Sequence, residues 1–182
     1  VFSVSSKGEL AVALGCRLNW GECTGTLARL PMTGGTPREM VKDVHVPDWG
    51  PDGESLAVVS FAGGRYRLEY PIGKTLYEPE GWVTYARVSP EGDRIAFLDH
   101  PRLGDIGGSV AVIDTAGKKV TLSSGWESLQ GLAWAGDEIW LTGSRTGKGG
   151  SSTLYAVPLA GRERTVFSSP GMLKLNDIGC SG

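Results

Sequence analysis

The sequence predicts an all-β protein assembled from repeated four-stranded units. Three observations carry this. Glycine occupies 28 of 182 positions and 10 prolines are spread along the whole chain. The longest stretches free of both, 38–46 and 54–62, span only nine residues, shorter than an average helix of about 11 residues. A turn-and-strand pattern also recurs with a period of some forty residues, the mark of a repeat architecture.

The repeat is clearest where Asp48-Trp49-Gly50-Pro51-Asp52-Gly53-Glu54-Ser55-Leu56-Ala57-Val58 aligns without a gap on Arg87-Val88-Ser89-Pro90-Glu91-Gly92-Asp93-Arg94-Ile95-Ala96-Phe97. A degenerate copy runs from Val4 to Val12 and a shortened one from Trp134 to Trp140, so the turn glycines are Gly8, Gly53, Gly92 and Gly136. Proline presets φ, the acidic residue suits the next turn position, and glycine takes the positive φ of the reversal. A second echo matches Ser109–Val120 with Thr153–Arg164 around Gly117 and Gly161, with weaker versions at Gly35 and Gly73.

Each unit thus reads as strand, tight turn, strand, variable loop, strand, glycine turn, strand, with period-two alternation within the strands. Units of this kind cannot bury both faces alone and must stack, which is the design of a β-propeller. The expected blades are about 1–45, 46–84, 85–130 and 131–171. Segment 172–182 then begins a truncated fifth blade or a swapped strand, within a larger propeller. The abrupt Val-Phe-Ser-Val opening suggests a piece of a longer protein.

Trp49, Val88, Trp134, Val4 and Ile178 share one register of the innermost strand and are expected to pack between blades. One residue earlier stand Ser3, Asp48, Arg87, Ala133 and Asp177. Asp48 and Arg87 belong to neighbouring blades, so they either pair across the boundary or, with Asp177, face a ligand at the central channel.

The Trp49-Gly-Pro-Asp-Gly and Val88-Ser-Pro-Glu-Gly segments resemble the Ser-Pro-Asp-Gly repeats of TolB-type propellers, which also occur in prolyl-oligopeptidase-like enzymes. No Trp-Asp or Gly-His dipeptide supports a WD-repeat propeller. The connecting text Arg67–Lys74, Leu76-Tyr77-Glu78, Ile95–Pro101, Gly107–Val112 and Gly131–Trp134 is similar to the C-terminal propeller portion of bacterial serine/threonine protein kinases. That resemblance implies a non-catalytic sensor propeller on the extracytoplasmic side of a membrane-anchored parent. An accessory propeller of a prolyl-oligopeptidase-like hydrolase and a TolB-like interaction scaffold are the alternatives, since a repeat type specifies fold more than function.

Catalytic chemistry finds little support in the residues. Ile72-Gly73-Lys74-Thr75 lacks the first glycine of a phosphate loop, because Leu68 stands there. No Gly-x-Ser-x-Gly elbow occurs and the chain has only two histidines, His45 and His100. His100, at a strand exit, is expected to cap a loop or lie exposed. Kinase catalytic motifs are absent, and neither the His and Cys spacing nor Asp99, Asp105 and Asp114 form a metal set. The reading is therefore a non-enzyme without cofactor.

A net charge of -2 gives no basis for nucleic-acid binding. The expected partner is a peptide, protein or small ligand, with a homodimer as a further expectation. Candidate contacts lie where chain enters successive inner strands: His45, Trp82 and Trp126, besides Asp48, Arg87 and Asp177. Each tryptophan either anchors a partner from the surface or packs on its own blade. Cys16 and Cys23 flank a hairpin loop and either form a disulfide, which would suit an extracytoplasmic domain, or remain free thiols.

Overall fold

The computed structural model describes residues 3–19, 22–146 and 153–179. Fifteen strands, and no helix among the described residues, follow one another in chain order. They are β1 (Ser3–Val4), β2 (Glu9–Asn19), β3 (Glu22–Pro31), β4 (Arg38–Trp49), β5 (Leu56–Ala62), β6 (Arg65–Glu69), β7 (Thr75–Tyr77), β8 (Trp82–Val88), β9 (Arg94–His100), β10 (Gly108–Asp114), β11 (Lys119–Trp126), β12 (Ser128–Ala135), β13 (Glu138–Ser144), β14 (Thr153–Pro158) and β15 (Arg164–Ser168).

All pairings are antiparallel between sequence neighbours. Strands β8–β11 and β12–β15 make two four-stranded sheets, while β1–β7 form one sheet of seven. Seven arises because β4 serves two units. Its first part pairs with β3 (Val41 opposite Leu27), its second with β5 (Asp48 opposite Ala57), and Val44 is bonded to both Gly25 and Ser60. The expected start of the second unit at 46 therefore lies inside a continuous strand, which redirects itself at Asp43 with φ 55°.

Both predicted turn registers carry positive φ. Gly8, Gly53, Gly92 and Gly136 lie between 60° and 76°, and Gly35, Gly73, Gly117 and Gly161 between 88° and 129°. The phosphate-loop look-alike is one of these turns, and its Lys74 Nζ donates to the carbonyl of Thr115, 2.6 Å away on the next unit.

The inner strands β4, β8 and β12 also carry a one-residue irregularity, between Val44 and Val46, Thr84 and Arg87, and Gln130 and Leu132. Such bulges add twist. The expected unit starts at 85 and 131 coincide with these kinks, at Tyr85 (φ 51°) and Gly131 (φ 61°), whereas β8 and β12 begin at 82 and 128.

The core consists of three layers between successive units. Ala11, Leu27, Trp49, Leu56 and Val58 fill the first, Val59, Leu68, Trp82, Val88 and Phe97 the second, and Leu98, Val110, Leu132, Leu141 and Val157 the third. Trp49 and Val88 take the interlayer places expected of them, and Trp134 packs at the edge of the third layer with Nε1 donating to the Arg87 carbonyl. Val4, in the same register, is 53% exposed, because no described unit covers that side of the first sheet. At the other end, 172–178 is not a strand. Leu175 lies against Gly131 so closely that a Cβ there would sit 2.0 Å from the Leu175 carbonyl oxygen, and Leu175 N donates weakly to Thr142 Oγ1.

Candidate functional site

The Pro-Asp-Gly type turns cluster at one end of the strands, where Gly53 touches Ser6 and Lys7 and Gly92 touches Pro51. The opposite end carries the variable loops and the links between units. Among the cavities that the described residues form there, two are lined by candidate residues from the sequence.

The larger, of about 770 Å³, lies over the third unit and is lined by Glu78, Glu80, Asp99, Asp105, Trp126 and Glu127 among others. Its acidic look is partly neutralised from behind. Arg67 and Arg65 hydrogen-bond to Glu78 and hold its carboxyl below the usual carboxylate range. Asp99 is bonded to Lys119 Nζ and Tyr77 Oη. His100 closes the floor, with Nδ1 2.8 Å from the Gly107 carbonyl and Nε2 2.8 Å from Thr84 Oγ1. It caps the loop as expected but is buried, not exposed, and burial lowers its pKa.

The second cavity, of about 330 Å³, sits where the first three units meet. Leu18 from the β2–β3 hairpin, Phe61 from the end of β5 and Leu103 from the β9–β10 loop form its walls, exposed by 79%, 40% and 57%. Thr24, His45 and Tyr66 also line it, and Arg17 and Asp43, paired at 2.9 Å, stand beside them. His45 Nε2 lies 2.8 Å from Thr24 Oγ1 and 3.3 Å from Tyr66 Oη, while Nδ1 has no hydrogen-bond partner among the described residues. Burial pushes the His45 pKa down, which favours the neutral ring. Cys16 and Cys23 are disulfide-bonded in the same hairpin, with Cα atoms 5.5 Å apart.

A third polar group lies along the inner strands. Asp48 accepts hydrogen bonds from Ser3 Oγ at 3.0 Å and from the Val88 amide at 2.9 Å. Burial raises its pKa, against the pull of the Arg87 guanidinium, and Asp177 adds a like charge. The structure thus draws Asp48, Arg87 and Asp177 into one electrostatic neighbourhood and leaves His45 in the smaller cavity.

Trp82 and Trp126 are each only 3% exposed, so neither ring is a surface anchor. Trp82 Nε1 donates to the Asp105 carbonyl and its ring packs on His100. Trp126 is clamped between Arg145, 3.7 Å from its ring centre, and Tyr155, although one edge reaches the larger cavity. Their place at unit junctions buries them between sheets. Sequence reasoning missed Leu18, Phe61, Leu103, Thr24 and Tyr66; the one available signal was a large apolar residue beside a loop glycine, as in Leu103-Gly104.

No protein family and no curated protein matches the chain. Solved structures do. A candidate TolB from Agrobacterium tumefaciens superposes with a TM-score of 0.71 at 18% identity, covering 95% of this chain and 67% of that one. TolB from Acinetobacter baumannii gives 0.61 at 18% identity over 77% of this chain and 37% of its own. The β-propeller domain of the Trilobed protease from Pyrococcus furiosus gives 0.59 at 11% identity over 91% and 56%. The fold is a partial β-propeller. Its units are blades, and the two cavities lie on the propeller face that carries the blade-linking loops. Identities this low speak to fold alone.

Proposed function

We propose that this partial propeller is a non-catalytic interaction module whose partner is a peptide or protein seated on the loop face. One observation carries the reading: three exposed apolar side chains from three successive blades, Leu18, Phe61 and Leu103, converge on a single cavity. Scattered exposed apolar residues need no explanation, but a convergent, concave set marks a binding surface. Propeller scaffolds among the similar structures are consistent with this, including those attached to peptidases.

The narrower reading, a sensor propeller of a membrane-anchored bacterial serine/threonine kinase, rests on the connecting segments quoted above. The Cys16–Cys23 bond fits the extracytoplasmic, oxidising location that this reading requires.

Panning a phage-displayed peptide library on the intact chain tests the module. Enriched peptides should lose binding to a Leu18→Asp/Leu103→Asp variant whose melting temperature is unchanged. Peptides that bind the variant equally well would place the interaction elsewhere.

A further inference from the structure

The floor of the smaller cavity has a surplus of hydrogen-bond donors. A neutral imidazole offers one N–H and one lone pair, and only Nε2 of His45 has partners, the hydroxyls of Thr24 and Tyr66. If Nε2 donates, it serves these oxygens and both O–H protons remain uncommitted. If Nε2 accepts, it takes one O–H and the other remains. In either tautomer at least one hydroxyl keeps a proton with no acceptor among the described residues.

The charges beside this floor are already matched, since Arg17 and Asp43 pair with each other at 2.9 Å. An ionic ligand would have to break that pair or remain uncompensated, so the occupant should be neutral. Above the floor the walls are Leu18, Phe61 and Leu103, which suit a flat apolar body. A ligand pocket with apolar walls and a few placed polar groups takes an apolar group ending in a polar atom.

From this complementarity we infer that the cavity is a subsite for a neutral phenol, the side chain of a tyrosine presented by the partner, its ring between Leu18, Phe61 and Leu103 and its oxygen accepting from the Thr24–Tyr66 hydroxyl pair. The inference rests on the interaction-module reading but names its ligand. Because either His45 tautomer leaves at least one hydroxyl proton uncommitted, the phenol oxygen finds a donor in both.

The test uses p-cresol, the tyrosine side-chain analogue, against toluene, which lacks only the oxygen, on the intact oxidised chain. Methyl NMR reads the site through Leu18 and Leu103. We expect p-cresol to shift both methyl sets with a dissociation constant on the order of millimolar. Toluene should bind about tenfold more weakly, because a site built to bond an oxygen rejects the analogue without it. Thr24→Val/Tyr66→Phe should erase the preference while keeping the apolar binding, and Leu103→Ser, at an exposed position, should weaken both probes.

Equal binding of the two probes overturns the inference, as does p-cresol binding that leaves Leu18 and Leu103 unmoved. If p-cresol fails while library peptides still bind, the subsite is wrong and the module stands. If p-cresol binds as expected while no peptide is enriched, the phenol subsite stands, but the module reading and the tyrosine of its partner fail.

Discussion

The Asp48 carboxylate accepts the backbone N–H of Val88 at 2.9 Å, bonding the inner strand of the second blade to that of the third. Its other oxygen takes Ser3 Oγ from the first. One acidic side chain thus links three blades. The position was singled out in the sequence because Asp48 and Arg87 occupy equivalent places in neighbouring units, yet the hydrogen bond goes to the backbone beside Arg87.

This predicts an asymmetry between two substitutions. Asp48→Ala strands the Val88 amide and should cost about 1–3 kcal/mol. Asp48→Asn keeps an acceptor for that amide and removes a charge whose burial is unfavourable, so stability near neutral pH should be retained or slightly raised. Urea unfolding at pH 7 distinguishes them, and an Asn variant as damaged as the Ala variant would refute the argument.

Stability should fall as pH drops below about 6.5. Burial lowers the pKa of His45 and His100 in the folded state, so the unfolded chain binds more protons between those values and the ordinary histidine value. The contribution is complete above that window and lost within it. Asp48 acts oppositely, because its raised folded pKa stabilises the protonated form and adds stability as pH falls through that value. Melting temperatures from pH 8 to 4 should therefore decline less steeply in His100→Gln and more steeply in Asp48→Asn than in the wild type. A wild-type curve flat from pH 7 to 5 would contradict the histidine assignment.

The Cys16–Cys23 bond closes a short loop, with the two residues seven apart in sequence. In the chain-entropy model a loop this short contributes about 2.5 kcal/mol, and its reduction should lower the melting temperature by roughly 5–10 °C for a chain of this size. Peptide mapping under non-reducing conditions checks the pairing, and differential scanning calorimetry with and without reductant checks the shift. Full alkylation of both thiols in native oxidised protein would refute it.

The two terminal blades leave apolar side chains on their outer faces. Val4 is 53% exposed on the first, Phe167 55% on the fourth, and Met172, in the segment after it, 76%. Covering such faces with a second copy gives a symmetric dimer. Light scattering after size exclusion should then report twice 19.2 kDa, and Phe167→Lys should return the chain to monomer. A wild-type monomer at tens of micromolar would end this expectation.

The sequence by itself determined what depends on neighbours along the chain. Gly53 and Gly92 need positive φ in any context that reverses the backbone after Pro-Asp or Pro-Glu, and the short continuous apolar runs Ile95–Leu98 in β9 and Val110–Ile113 in β10 mark strands buried on both faces, so strands, turns and their period were readable. What only the tertiary structure decided depends on how blades stack. The partners of His45, Thr24 and Tyr66, each lie 21 residues away, one arriving from the adjacent strand β3 and the other from β6, on the far side of β5. Leu18, Phe61 and Leu103 meet only because the β2–β3 hairpin, the end of β5 and the β9–β10 loop lie at the same end of three successive blades. Trp82 and Trp126 look like surface anchors at loop ends until the neighbouring blade closes over them. Local conformation is set by backbone sterics within a few residues, whereas burial and convergence are set by surfaces that exist only once the sheets have packed.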